Sequence, residues 1–209
     1  MSLPVLKNWG KYWQNRKIDW NAHYGNWGHP HRFLISSVLK ELPNWLSLVE
    51  VGCGAGANLQ NIIKNIPGKQ LGGIDINPDA IVEANKKFQN GYFKVCSADD
   101  IMMSDNSADV VLSDMCLIYF GSKEIKKVVK EIKRIARKYV VLCEFHSKSW
   151  WNRMALKINT GYNAHNYKKL LENEGFYDIF FYKVRQKDWP GGSPQKEFAY
   201  IIVAKVPKR

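Results

Sequence analysis

Apolar and polar positions along the chain follow two alternating patterns. Short apolar runs bounded by turn residues predict strands at Leu48–Val51, Leu71–Ile76, Tyr92–Cys96, Ala108–Asp114 and Tyr139–His146. Between them apolar residues recur at helical spacing. Leu34, Ile35, Val38 and Leu42 form one stripe, and Leu59, Ile62, Ile63 and Ile66 a second. Ala80, Ile81 and Ala84 form a third, and Ile125, Val128, Val129, Ile132 and Ile135 a fourth. Start and stop signals sharpen these helices. Pro30 suits a first helical position, Asn77-Pro78 reads as N-cap and first residue, Ser122 stands where it would cap the fourth stripe, and Pro67-Gly68 ends the second. A helix from about Asn166 to Asn173 leads to Gly175, which suits a C-cap. Two last strands, Tyr177–Val184 and Phe198–Val206, flank the turn Asp188-Trp189-Pro190-Gly191-Gly192. Strand–helix alternation predicts an α/β domain with a mostly parallel sheet covered on both faces, and the closing hairpin adds an antiparallel strand.

The first 28 residues break this pattern. Trp9, Tyr12, Trp13, Trp20, Tyr24 and Trp27 crowd together among basic residues, and Trp9, Tyr12, Trp13 and Arg16 keep helical spacing. Two compatible readings follow: a short helix that packs its rings on the main domain, and a lid whose rings wall a ligand pocket. The predicted organisation is a helical extension or lid over 1–28 and one domain over 29–209.

Composition narrows the setting. At 209 residues and 45% hydrophobic, the chain suffices for one well-buried domain with an extension. No apolar run has the length of a membrane span, and Met1–Lys7 lacks a signal-peptide core, which points to a cytoplasmic protein. The four cysteines, Cys53, Cys96, Cys116 and Cys143, lie in or beside predicted strands without metal-ligand spacing and read as reduced thiols. His23, His29 and His31 have neither carboxylate nor cysteine partners nearby, so no metal is expected. A net charge of +12 favours anionic partners, nucleic acid included, yet the solvated face of the helix within Lys123–Lys138 accounts for much of it.

Candidate chemistry centres on Gly52-Cys53-Gly54-Ala55-Gly56, the turn between the first strand and its helix. Glycine lets a ligand approach the backbone, and the helix start offers unpaired N–H groups. Gly52, Gly54 and Ala57 also match a dinucleotide fingerprint. Against that, Glu50 precedes the turn, where a pyrophosphate is unfavourable but a ligand amino group is favoured. Glu50 is placed to order the loop or to meet an ammonium group through water. The chain also closes in a hairpin instead of a second nucleotide-binding half.

Glu50-Val51-Gly52-Cys53-Gly54-Ala55-Gly56 resembles the first motif of the class I S-adenosylmethionine-dependent methyltransferases, and the resemblance runs over about residues 29 to 205. Asp75 stands where that family's acidic residue binds the ribose hydroxyls, beside Ile76; a helix-capping role next to Asn77 is the alternative. Ser97-Ala98-Asp99-Asp100-Ile101 stands where the family reads adenine, usually with an aspartate at the position of Ser97. Ser97 or Asp99 is then the adenine contact, with Ala98 between them. Asp109–Asp114 resembles the fourth strand, whose end faces cofactor and substrate. The resemblance implies a doubly wound seven-stranded sheet of order 3-2-1-4-5-7-6 and S-adenosyl-L-methionine as cofactor. Its expected binding residues are Arg32, Glu50, Gly52, Gly54, Gly56, Asp75, Ile76, Ser97, Ala98, Asp99 and Asp114, with Arg32 on the cofactor carboxylate.

Methyl transfer demands positioning and exclusion of water, and a base only where the acceptor must lose a proton early. His146 is the candidate base, with Glu144 on the same strand face to pair with it; a loop-bonded strand-end histidine is the alternative. Asp114 is the candidate to orient an amine or hydroxyl. Trp13, Tyr24, Tyr119, His146 and Trp150 are the expected substrate-binding residues, with Trp151 beside them. The leading expectation is methyl transfer to an O or N atom of a small molecule. An RNA or protein methyltransferase follows, without the N-P-P-Y type of motif where Ser113-Asp114-Met115-Cys116 stands. A non-catalytic cofactor-binding module is the third.

Overall fold

A computed structural model describes residues 8–189 and 197–208; Met1–Lys7 and the turn residues Pro190–Gly192 lie outside the described residues. The chain begins with α1 (Trp9–Gln14), α2 (Trp20–Tyr24) and α3 (Pro30–Lys40). Then come β1 (Ser47–Val51), α4 (Ala57–Asn65), β2 (Gln70–Asp75), α5 (Pro78–Lys87) and β3 (Tyr92–Val95). The second half runs β4 (Ala108–Asp114), a 3-10 turn at Leu117–Tyr119, α6 (Glu124–Ile135) and β5 (Ala136–Phe145). It closes with α7 (Trp150–Thr160), α8 (Tyr167–Asn173), β6 (Tyr177–Lys183), a 3-10 turn at Gln186–Asp188 and β7 (Ala199–Lys205).

The strands form one seven-stranded sheet in the order β3-β2-β1-β4-β5-β7-β6, as expected. The first five pair in parallel, and β7 runs antiparallel to both β5 and β6. Side chains alternate between two cores, as the strand period of two requires. Leu48, Val110, Leu112 and Val141 pack with α3 and α4 through Ile35, Leu39, Leu59 and Ile62. Val49, Val51, Val111, Val140 and Leu142 pack on the other face with Ile125, Val128, Val129, Ile132 and Ile135 of α6. Burial on both faces explains why β4 reads as a continuous apolar run.

Three local expectations change. Ser122 does not cap α6; Lys123 holds the N-cap position without a side-chain cap bond. The basic helix ends at Ile135 and passes directly into β5, so Arg137 and Lys138 leave it and pair with Asp109 at 3.2 and 3.3 Å. An additional helix, α7, stands where only aromatic residues following a strand were anticipated.

The aromatic extension forms two short helices laid over the sheet edge. Asn77 ties it down. Its Oδ1 caps α5 by accepting from the Ala80 N–H, while its Nδ2 donates to the carbonyls of Trp13 (2.7 Å) and Arg16 (2.9 Å). Trp20 is buried against Ala55 and Ala80, so this segment shares a core with the glycine turn.

Candidate active site

β1, β2 and β4 end at the same sheet edge, where an open α/β sheet forms its ligand crevice. The turn after β1 holds Gly52, Gly54 and Gly56 at φ of +76°, +52° and +77°. Their reasons for being glycine differ. A Cβ on Gly52 would come within 2.4 Å of Cys116 Sγ, and one on Gly56 within 2.6 Å of the Phe88 ring. A Cβ on Gly54 would meet only Trp20, at 3.6 Å, because Gly54 faces the crevice. The N–H groups of Gly52 and Cys53 donate to Ile74 O, and that of Gly54 to Asp75 Oδ2 at 2.8 Å. Asp75 Oδ1 accepts from the Asn77 N–H at 2.9 Å, so this carboxylate shapes both the turn and the start of α5.

A cavity of about 820 Å³ opens from the turn. Gly52, Gly54, Asp75, Ile76, Ser97, Ala98 and Asp99 line one end, and Glu50, Arg32 and Asp114 lie with them on its wall. Ser97 Oγ is hydrogen-bonded to Asp99 Oδ1, which couples the two candidate adenine contacts. Trp13, Tyr24 and Tyr119 line the aromatic part; the Trp13 ring lies 5.3 Å from Tyr119 and 5.9 Å from Tyr24.

The polar heart is a buried network. Asn58, in the first turn of α4, donates through Nδ2 to Glu50 Oε1 and, at 2.9 Å, to Asp114 Oδ2. His31 Nε2 lies 2.9 Å from the same Asp114 oxygen, and Arg32 Nη1 approaches it at 3.4 Å while also donating to Asn58 Oδ1. Burial pushes the Asp114 carboxyl up, but His31, Arg32 and Asn58 outweigh it and hold Asp114 below the usual carboxylate range. Glu50 is hydrogen-bonded to Asn58 and not to His31 or Arg32. Burial, opposed by the Asn58 hydrogen bond and reinforced by the Asp114 charge, raises its pKa to about 8. Its Oε2 is buried without a hydrogen-bond partner among the described residues.

Other expected site residues lie elsewhere. His146 is not on the cavity wall. It packs between Phe181 and Tyr200 and accepts from the Tyr167 N–H through Nδ1 at 3.2 Å. Burial, with Lys148 and Arg153 nearby, lowers its pKa to about 4. Its expected partner Glu144 points away, accepting from Ser113 Oγ and the N–H groups of Cys116 and Leu117. The strand-end reading of His146 therefore matches its geometry, and pairing with Glu144 does not occur. Trp150 is half-exposed on α7, against Trp151, and off the cavity wall. Gly56 serves packing and turns its back on the crevice. Conversely, Asn58 and Trp189 join the wall without having been singled out for it, Trp20 joins it from the aromatic extension, and His31, weighed above only as a metal ligand, lies on it against Asp114. The signal for Asn58 was its place two residues after Gly56, at the start of the helix that faces the crevice.

A family model described as a methyltransferase domain matches residues 48–139, the span from β1 into β5. The segment from β1 into β5 is thus similar to a methyltransferase domain, and the sheet order is that of the class I methyltransferase fold. An uncharacterised methyltransferase-like protein of Schizosaccharomyces pombe is 32% identical over 90 residues, covering 43% of this chain and 34% of the relative. The thiol S-methyltransferase TMT1A of Homo sapiens is 31% identical over 99 residues, covering 44% of this chain and 38% of the relative. The matched segments thus span little more than a third of these methyltransferases. Among solved structures, magnesium protoporphyrin IX methyltransferase from Synechocystis, with S-adenosylhomocysteine bound, shares the fold at a TM-score of 0.61 and 18% identity, covering 96% of this chain and 93% of that one. The PH0226 protein of Pyrococcus horikoshii matches at 0.66 and 15%, covering 92% and 100%.

The residues of this site fit S-adenosylmethionine. The orphaned Glu50 Oε2 and its raised pKa suit an incoming ammonium group, which would let the carboxyl ionise. Gly54 leaves room for close approach, and Asp75 and Asp99 offer acceptor oxygens on the same wall.

Proposed function

We propose that this protein transfers a methyl group from S-adenosylmethionine to an O or N atom of a small molecule. The observation that carries the reading is one recessed cavity in which the glycine turn and carboxylates of a cofactor site continue into an aromatic wall. Its volume falls in the range of about 300–1,000 Å³ typical of small-molecule sites. In this reading Asp75 takes the ribose hydroxyls, and Ile76, Ser97, Ala98 and Asp99 surround the base. Glu50 takes the amino group, Arg32 the carboxylate, and Asp114 orients both through Asn58.

When bound, the cofactor supplies an electrophilic methyl group on a sulfonium. The protein's part is alignment and exclusion of water. Residues 8–28 serve as a lid: Trp13 and Tyr24 close over the crevice opposite Tyr119, and their ring faces favour a cation or a flat acceptor. His31 is held between Asp114 and His29, and burial raises the Tyr119 hydroxyl above its ordinary range. This favours acceptors that need little help in losing a proton, amines before alcohols.

The same observation favours a second acceptor, a thiol, whose pKa near 8.5 lets it ionise without a strong base. The likeness to thiol S-methyltransferases of rat and human supports it. A recessed cavity weighs against RNA or protein as acceptor. The setting we propose is cytoplasmic, in keeping with four free cysteines; among the described residues no helix is long and apolar enough to cross a membrane.

Incubation with methyl-labelled S-adenosylmethionine and separate pools of amines, phenols, thiols and RNA tests the reading. Label in one small-molecule pool is expected. Label confined to RNA or to protein contradicts it, and cofactor binding without any labelled product identifies a non-catalytic module.

A further inference from the structure

α7 faces the wrong way for a helix stabilised by its own domain. Leu156 is its buried residue, whereas Trp151 is 75%, Ile158 63%, Trp150 52% and Met154 38% exposed. At about 100° per residue these four fall in an arc of about 100°, and Leu156 lies on the opposite side. The larger apolar face of this amphipathic helix thus points outward. Contiguous exposed apolar surface of this kind marks an interaction site.

Charge selects the occupant. No acidic residue occurs between Glu144 and Glu172, while Lys148, Arg153, Lys157, Lys168 and Lys169 do. Arg153 and Lys157 flank the apolar arc on one side, and Lys148 precedes its N-cap, Ser149. Arg153 also braces the start of the helix by donating to the carbonyls of Ser147 and Lys148, both at 2.9 Å. A second copy of this chain would bring the same basic face and a net charge of +12 to the contact. Phosphate groups of RNA would satisfy the lysines but not the Trp, Met and Ile side chains.

We propose that the outward face of α7 docks on an anionic lipid bilayer. Trp150, Trp151, Met154 and Ile158 enter the boundary between headgroups and acyl chains, where tryptophan is favoured, and Lys148 and Lys157 reach the phosphates. The docked helix adjoins the cavity. Lys157 and Gly161 belong to its wall, and the Gly161 carbonyl accepts from the Trp9 indole N–H at 3.3 Å. Docking therefore brings the lid helix α1 and the cavity mouth to the lipid surface.

The test is co-sedimentation of the full chain with vesicles of phosphatidylcholine, with and without phosphatidylserine. Wild type should bind the phosphatidylserine vesicles and release them as salt rises. The double variant Trp151→Ser, Ile158→Ser should bind at least about tenfold more weakly. Neither side chain lines the cavity, so thermal melting and S-adenosylhomocysteine affinity should be unchanged, which separates this test from that of the methyltransferase reading. Equal vesicle binding by wild type and variant overturns the proposal, as does the absence of binding to either composition. A dimer in lipid-free solution that the two substitutions dissociate, or RNA binding that they abolish, overturns it in favour of that partner.

Discussion

His31 Nε2 lies 2.9 Å from Asp114 Oδ2, joining the start of α3 to the end of β4. Through Asn58 the same carboxylate is linked to Glu50 on β1. The network therefore joins four elements, α3, α4, β1 and β4, around the cavity, and it holds the Asp114 carboxyl below the usual carboxylate range.

Asn58 is the central link, so Asn58→Leu should cost more than a surface change. It leaves Glu50 and Asp114 facing each other without the amide between them. A loss of about 1–3 kcal/mol in urea unfolding is expected. Affinity for S-adenosylhomocysteine should fall in parallel. A variant as stable as wild type would mean the network is solvated.

The three glycines of the turn separate stability from binding. Gly56→Ala forces a side chain into the Phe88 ring at φ +77° and should lower stability by about 1–3 kcal/mol. Gly54→Ala meets only Trp20 and should cost about 1 kcal/mol for its positive φ. It should nevertheless weaken cofactor binding more, because the methyl group enters the crevice. Melting curves and calorimetry on the two variants check the order.

Glu50 gives the pH dependence a sign. Its pKa rises from an ordinary 4.5 to about 8 in the folded protein. Between those values the unfolded chain is ionised and the folded one protonated, so stability falls as pH rises through this window and levels off above it. Binding of an ammonium-bearing ligand favours ionised Glu50, so affinity for S-adenosylhomocysteine should rise towards pH 8. Glu50→Gln should flatten both trends, gaining stability over wild type as pH increases. Calorimetry and melting across that range would show it; parallel profiles for the two proteins would rule it out.

His146 sits outside the cavity, neutral and enclosed by Phe181 and Tyr200. Once an acceptor is known, His146→Asn should leave kcat within about threefold while lowering the melting temperature. A loss of about a hundredfold in kcat, the scale of a missing general base, would restore the histidine to catalysis.

Most strands were legible because two-sided burial writes apolar runs into β1, β2, β4 and β5, and helices between them carry one-sided stripes; the sheet order came from the family resemblance. The residues that the resemblance assigns to the cofactor, Glu50, Gly54, Asp75 and Ser97–Asp99, lie at or next to strand ends that the patterning locates, and they meet on one cavity wall. Less legible were contacts between distant elements. Nothing local pairs His31 with Asp114, or Asn58 with both Glu50 and Asp114. α7 went unread because its apolar residues face outward and mimic loop aromatics. His146 was misplaced by a strand-end argument blind to β6 and β7, whose Phe181 and Tyr200 close over it.

Calorimetric titration of S-adenosylhomocysteine into wild type and Asp75→Ala tests the central claim most directly. Saturable one-to-one binding to wild type, weakened at least about tenfold in the variant, is the predicted result. No binding to wild type, or equal affinity in Asp75→Ala, would contradict the assignment of this crevice to the cofactor.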